Sequence, residues 1–273
     1  AGAASEILAH DTSSAALDEG LARGVADRAL ESPLAALTQA DVIVLCVPTV
    51  AAADLLAELT REAQNLESSA VITDVASVKG TLEARMLAQH GALPPNVVLG
   101  HPIAGSERSG VAAARASLFR DHLCILTPAE TTSSAALGVV TGLWQAAGAS
   151  VVRMAVAEHD RVLAATSHLP HVLAYCLVDT LAGSPQRDQI FRFAAGGFRD
   201  FTRIASSDPV MWRDVALANR EALLEAIDDF AQHLSTLRSA VDAGDGDALL
   251  RTFTAAKTAR DGFAALLAAR SQP

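Results

Sequence analysis

From Asp41 to Met154 short β-branched runs and helical stretches take turns, and this alternation limits the fold more than any other feature of the chain. "DVIVLCVP" (41–48) is a continuous apolar run, as in strands buried on both faces of a parallel sheet. "AAADLLAELTREA" has helical spacing, "SAVITDV" (69–75) reads as a second buried strand, and "KGTLEARMLAQHG" as a helix leading to the strand "NVVLGH" (96–101). "HLCILTP" (122–128), a helix around "AALGVVTGLWQAAG" and the strand "SVVRM" (150–154) follow. Ahead of them, "EILAH" (6–10) is a short strand ending at Asp11, and "SSAALDEGLARG" a helix with a glycine stop at Gly24. Such alternation predicts a doubly wound parallel sheet with helices on both faces.

After Met154 the strands stop. "AEHDRVLAATSHLPHVLAYCLVDTLAG" is helical with an interruption expected at Pro170. The next helix starts with Ser207 or Asp208 as N-cap and Pro209 in its first turn. Its apolar positions Val215, Ala218, Leu223, Ile227, Phe230, Leu234, Leu237 and Val241 imply a single helix of over thirty residues, and a last helix covers 247–270. A helix that long implies that part of its face packs on a partner subunit. The switch predicts two domains, 1–154 and 155–273.

Composition sets the remaining limits. The chain is 51% hydrophobic and 19% charged, a globular profile with ample core. A net charge of −10 argues against a nucleic-acid or anionic-membrane surface, while one arginine pocket could still hold an anionic substrate. Cys46, Cys124 and Cys176 are far apart and form no CxxC pair, which points to a reducing cytoplasm. No apolar run reaches the roughly 18 residues of a membrane span.

In doubly wound sheets ligands bind at the carboxyl ends of the strands. Asp11, "CVPT" (46–49) and "TDVAS" (73–77) fall there, making Asp11, Val47, Pro48, Thr49, Asp74 and Ser77 candidates for dinucleotide binding. An acid after the second strand of such a fold holds the adenosine ribose hydroxyls and repels a 2′-phosphate, so Asp11 favours NAD over NADP. A strand-ending Asp is an equally ordinary turn residue. On this reading "EILAH" is the second strand, and the first strand with its GxGxxG turn is absent from residues 1–273, which are then expected to bind NAD weakly.

Four further stretches occur in order: "TDVASVKG" (73–80), "LGHPIAGSERSG" (99–110), "SHLPH" (167–171) and "GGFRDFTRIASSDPVMWRD" (196–214). Together they resemble the prephenate/arogenate dehydrogenase family of tyrosine biosynthesis over essentially the whole chain. The resemblance implies a Rossmann-type domain followed by an all-α dimerisation domain. It also implies NAD-dependent oxidative decarboxylation of prephenate, arogenate or both, by a homodimer.

His101 suits the acceptor of the substrate's C4 hydroxyl proton, because an imidazole titrates near neutrality and Pro102 biases its backbone towards an extended form. An isolated His-Pro is more often a turn residue; the surrounding motifs favour the chemical role. The resemblance makes Ser77 a second partner of that hydroxyl, although a serine in a βα turn commonly caps the helix. It makes Arg203 the carboxylate-binding arginine, where bidentate geometry fits; the plainer alternative is an ion pair with Asp200. His171 faces the substrate and His168 supports it; with no third ligand they do not suggest a metal site. Gly197 and Trp212 border the pocket, and Glu107 gates it by pairing with Arg203. Arg108 and Lys79 are expected as rim charges. A 3-hydroxyacid-type dehydrogenase and a non-catalytic fragment remain as alternatives; the first uses a lysine base for which no mid-chain helix offers a match.

Overall fold

The computed structural model describes residues 4–105 and 110–270. In chain order it contains β1 (Leu8–Ala9), α1 (Ser14–Ala22), β2 (Arg28–Ala29), α2 (Ala36–Gln39), β3 (Val42–Leu45), α3 (Thr49–Asn65), β4 (Val71–Asp74), α4 (Gly80–His90), β5 (Val97–Pro102), β6 (Leu123–Thr127), α5 (Ser134–Ala146) and β7 (Ser150–Arg153). Only helices follow: α6 (Val156–Leu163), α7 (Leu169–Ala182), α8 (Arg187–Arg192), α9 (Gly196–Thr202), α10 (Pro209–Ala218), α11 (Arg220–Asp242) and α12 (Gly246–Arg270). The chain divides into two compact units, Ala1–Leu223 and Leu224–Pro273.

Five strands form one sheet in the order β3-β4-β5-β6-β7, and β1 and β2 form a separate parallel pair. Side chains alternate across β5 as a pleated strand requires. Val97 and Leu99 join the cluster of Leu56, Leu59, Leu82 and Met86 from α3 and α4. Val98 joins Val140 and Trp144 of α5 in another. Helices therefore cover both faces. Local chemistry ends the elements where it should: Ser133 caps α5 by accepting from the Ala136 amide (3.1 Å), Asp208 caps α10 through the Met211 amide (2.8 Å), and Gly91 closes α4 at φ 74°.

The structure corrects four expectations. First, β5 and β6 are antiparallel, with His101 opposite Ile125 and Pro102 opposite Cys124. A parallel return needs a crossover of a dozen or more residues, usually helical. The described part of 103–122 supplies only a 3₁₀ turn at Val111–Ala113, so the chain re-enters the sheet at the end it left. Second, β3 is not buried on both faces: it is the last strand of its sheet, and Val44 is exposed while Ile43 and Leu45 are buried. Third, Pro170 does not break its helix. A π turn at Ala164–His168 joins α6 to α7, with the Leu169 amide bonded to the Ala164 carbonyl. Proline cannot donate and its ring crowds the carbonyl four residues back; the widened turn accommodates both. Fourth, the expected helix of over thirty residues is two helices, broken at Asn219 (φ −108°, ψ 37°). Along them Val215 and Leu223 are buried, whereas Phe230, Leu234 and Val241 are exposed.

Candidate active site

His101 stands at the carboxyl end of β5, half-buried. The backbone it projects from is clamped. Gly100 N–H donates to Asp74 Oδ1 (3.0 Å), and the Gly100 carbonyl accepts from Lys79 Nζ (2.6 Å). Lys79 also pairs with Asp74, whose Oδ2 takes the Ala76 amide (2.9 Å) as well. A Cβ on Gly100 would lie 3.1 Å from the Asp74 carbonyl and 3.1 Å from Leu126 Cδ2, so only glycine fits without displacing them. Lys79 is 0% exposed, which overturns its reading as a rim charge. Burial pulls its ammonium below the ordinary lysine range, against the attraction of Asp74. Asp74 is equally buried, with both oxygens engaged; it braces β4 against β5 and offers no surface to a ligand.

Behind His101 lies a pair that sequence reasoning missed. His101 Nδ1 is 2.9 Å from His159 Nε2, and His159 Nδ1 is 2.8 Å from Asp160 Oδ1. Asp160 also accepts the Lys79 amide (2.9 Å) and the Gly80 amide (2.8 Å). It thus caps α4 from eighty residues away, the role considered for Ser77; Ser77 is half-buried in the β4–α4 turn and makes no hydrogen bond among the described residues. Burial pushes the Asp160 carboxyl up, but the His159 bond and the two amides outweigh it and leave the pKa lowered. Asn219 secures the segment by donating to the Asp160 carbonyl (2.7 Å).

His101 is driven well below its ordinary 6.5, first by burial and then by the Lys79 charge and by His159 and His168. It is neutral at neutral pH. His168, fully buried against Asn219 (3.1 Å), is lowered by burial to about 4. His171 Nδ1 donates to the Ser167 carbonyl (2.8 Å), which leaves its Nε2 as an acceptor, and its ring stacks on Trp212 at 3.5 Å between centroids. Those two rings, with Val172, Tyr175, Pro209 and Arg213, line a cavity of about 230 Å³. Among the described residues no group of three or more His, Cys, Asp or Glu is placed to hold a metal ion.

The other candidates are spread along the chain. Asp11 is exposed just beyond β1, its Oδ1 taking the Ser13 amide (2.7 Å). Val47 and Pro48 are exposed between β3 and α3, whereas Thr49 is buried in the first turn of α3. Gly197 is exposed in α9, and Arg203 is exposed in the 3₁₀ turn that follows and packs on α7. Asp200, considered as the partner of Arg203, is 3.5 Å from Arg199. Glu107 and Arg108 lie outside the described residues.

Comparison with known proteins places this arrangement. Residues 1–153 match the nucleotide-binding domain model of prephenate dehydrogenase, and residues 155–255 match its dimerization domain model. The cyclohexadienyl dehydrogenase of Zymomonas mobilis is 37% identical over 92% of this chain and 85% of its own length. The prephenate dehydrogenase of Bacillus subtilis is 36% identical over 94% and 69%. The crystal structure of A. aeolicus prephenate dehydrogenase in complex with hydroxyphenyl propionate and NAD⁺ superposes with a TM-score of 0.85, at 33% identity over 96% of this chain and 90% of that one. Synechocystis arogenate dehydrogenase gives 0.76 at 25% identity, covering 94% and 90%. The sheet whose strand end carries His101 and the helices that carry His171 and Trp212 are together covered by these matches, and the chain belongs to the prephenate dehydrogenase family.

Proposed function

We propose that this chain oxidatively decarboxylates a cyclohexadienol, prephenate to 4-hydroxyphenylpyruvate or arogenate to tyrosine, with NAD⁺ as oxidant. The observation that carries the reading is His101, an imidazole held neutral at a strand end where ligands of this fold bind. The residues present suit the dinucleotide: Asp11 offers an exposed carboxylate to ribose hydroxyls, and the exposed Val47 and Pro48 offer an apolar turn to a flat ring. NAD⁺, when bound, supplies the acceptor for the hydride leaving C4.

The chain's own groups handle the rest. His101 takes the C4 hydroxyl proton as the carbon–oxygen bond gains double-bond character. Ser77 supplies a second hydrogen bond to that oxygen. The bond from C1 to the ring carboxylate breaks, CO₂ departs, its electron pair completes the aromatic ring, and the C4 oxygen takes its proton back from His101. Arg203 holds a substrate carboxylate, His171 and Trp212 wall the pocket, and Gly197 borders it. Residues 1–154 serve as the dinucleotide domain and 155–273 as the substrate and dimerisation domain. A homodimer through the C-terminal helices is supported by the dimerization-domain match and by exposed Phe230, Leu234, Leu250 and Phe253.

The direct test is turnover of prephenate and of arogenate, scored as NADH and CO₂ formed in equal amounts. The Asp11 carboxylate faces like charge on a 2′-phosphate, so kcat/KM is expected to be higher with NAD⁺ than with NADP⁺. No turnover of either substrate would refute the reading, and a preference for NADP⁺ would refute the role of Asp11. Replacing Arg203 by Ala is expected to raise KM chiefly, because carboxylate binding is shared by ground and transition states. A collapse of kcat at constant KM would assign Arg203 to the chemistry instead.

A further inference from the structure

We propose that His159 and Asp160 are positioning residues for His101: they fix the tautomer in which its Nε2 is the free base, and His159 shares the positive charge His101 acquires. This rests on His101 being the proton acceptor.

The Asp160 carboxylate receives two backbone amides, Lys79 (2.9 Å) and Gly80 (2.8 Å), as well as the His159 ring. An ionised carboxylate only accepts, so His159 Nδ1 carries its hydrogen. With His159 neutral, its Nε2 is then an acceptor. His101 Nδ1, 2.9 Å away, must donate to it. The lone pair of His101 is left on Nε2, which makes no hydrogen bond among the described residues. Two imidazoles thus carry the orientation set by one carboxylate to the group that meets the substrate.

The same chain prepares for the proton. When His101 Nε2 takes it, the hydrogen on His101 Nδ1 already points at His159 Nε2, and His159 points at Asp160. The set of three passes from one negative charge to neutral without any side chain moving. Both partners are fixed in advance: His159 is 0% exposed, and Asp160 is anchored through the N-terminal amides of α4 and by Asn219 at its carbonyl. A Cβ on Gly80 would lie 2.7 Å from Asp160 Oδ2, so the close approach needs glycine there.

The test uses the full chain. Nitrogen NMR of labelled imidazoles, with no substrate present, is expected to show His101 protonated at Nδ1 and bare at Nε2. A hydrogen on Nε2 in the unmodified protein would overturn the proposal, and this readout does not depend on whether the substrate reading is right. In turnover with NAD⁺, His159→Ala is expected to lower kcat by about 10- to 100-fold with KM little changed. His159→Gln keeps an acceptor for the His101 Nδ1 hydrogen but cannot share charge, so it is expected to restore the tautomer and recover part of the rate. Equal rates for His159→Ala and the unmodified enzyme, or a tautomer unaltered in His159→Ala, would overturn it as well.

Discussion

His101→Asn is expected to lower kcat by a factor of about 10²–10⁴, the range a positioned proton acceptor contributes, while KM changes little. Asparagine keeps a polar side chain of similar reach but cannot take a proton, so the loss falls on the chemical step and not on binding. The pH profile carries a second expectation. A base works in its unprotonated form, and burial together with the Lys79 charge holds His101 well below 6.5. The plateau of kcat/KM should therefore extend to pH values below 6.5 before protonation cuts it off. An unchanged kcat in His101→Asn would remove the residue from the chemistry. Steady-state kinetics across pH decides both points.

The largest effect on stability is expected at Lys79. Its ammonium and the Asp74 carboxylate are 0% and 1% exposed, and together they hold both backbone groups of Gly100. Lys79→Met leaves a buried carboxylate without its counter-charge, which costs about 3–5 kcal/mol. Activity should fall in parallel, since Gly100 is the residue before His101. The double variant Asp74→Asn/Lys79→Met removes both charges and is expected to be less destabilised than Lys79→Met alone, because the greater penalty attaches to the uncompensated charge. Denaturant unfolding measures the difference. A loss below about 1 kcal/mol for Lys79→Met, as at a solvent-exposed pair, would show that the pair does not hold the strand end.

The strands of the sheet half were legible because burial on both faces writes itself as runs of Val, Ile and Leu, as at residues 71–72 and 97–99. Strand direction is not written that way: an antiparallel strand with two covered faces has the same composition as a parallel one, so β6 could not be distinguished. Lys79 was misjudged because charge alone suggests the surface; its burial depends on Asp74, five residues earlier, and on a carbonyl of β5. His159 and Asp160 did leave a signal. Along α6 and its continuation the buried positions are His159, Asp160, Leu163, Ala164 and His168. Three ionisable residues on a stripe with core spacing must have partners, since an unpaired buried charge costs several kcal/mol. What no single sequence reveals is that the partners are His101, 58 positions earlier, and the amides of Lys79 and Gly80, 81 and 80 positions earlier.

The carboxylate that caps α4 has a consequence for how such proteins can be recombined. Asp160 belongs to the first helix after the sheet, yet it completes the start of a helix within the sheet half and holds His159, which in turn meets His101 at the end of β5. The two family models meet between residues 153 and 155, which looks like a seam where halves from different relatives could be exchanged. The contacts run across that seam, and Ala1–Leu223 is one compact unit. A chimera joined there inherits a donor helix terminus from one parent and its acceptor from the other. It will work only when the incoming half brings a histidine and an acid in register, so the natural unit of exchange is the sheet together with the helices as far as Asn219.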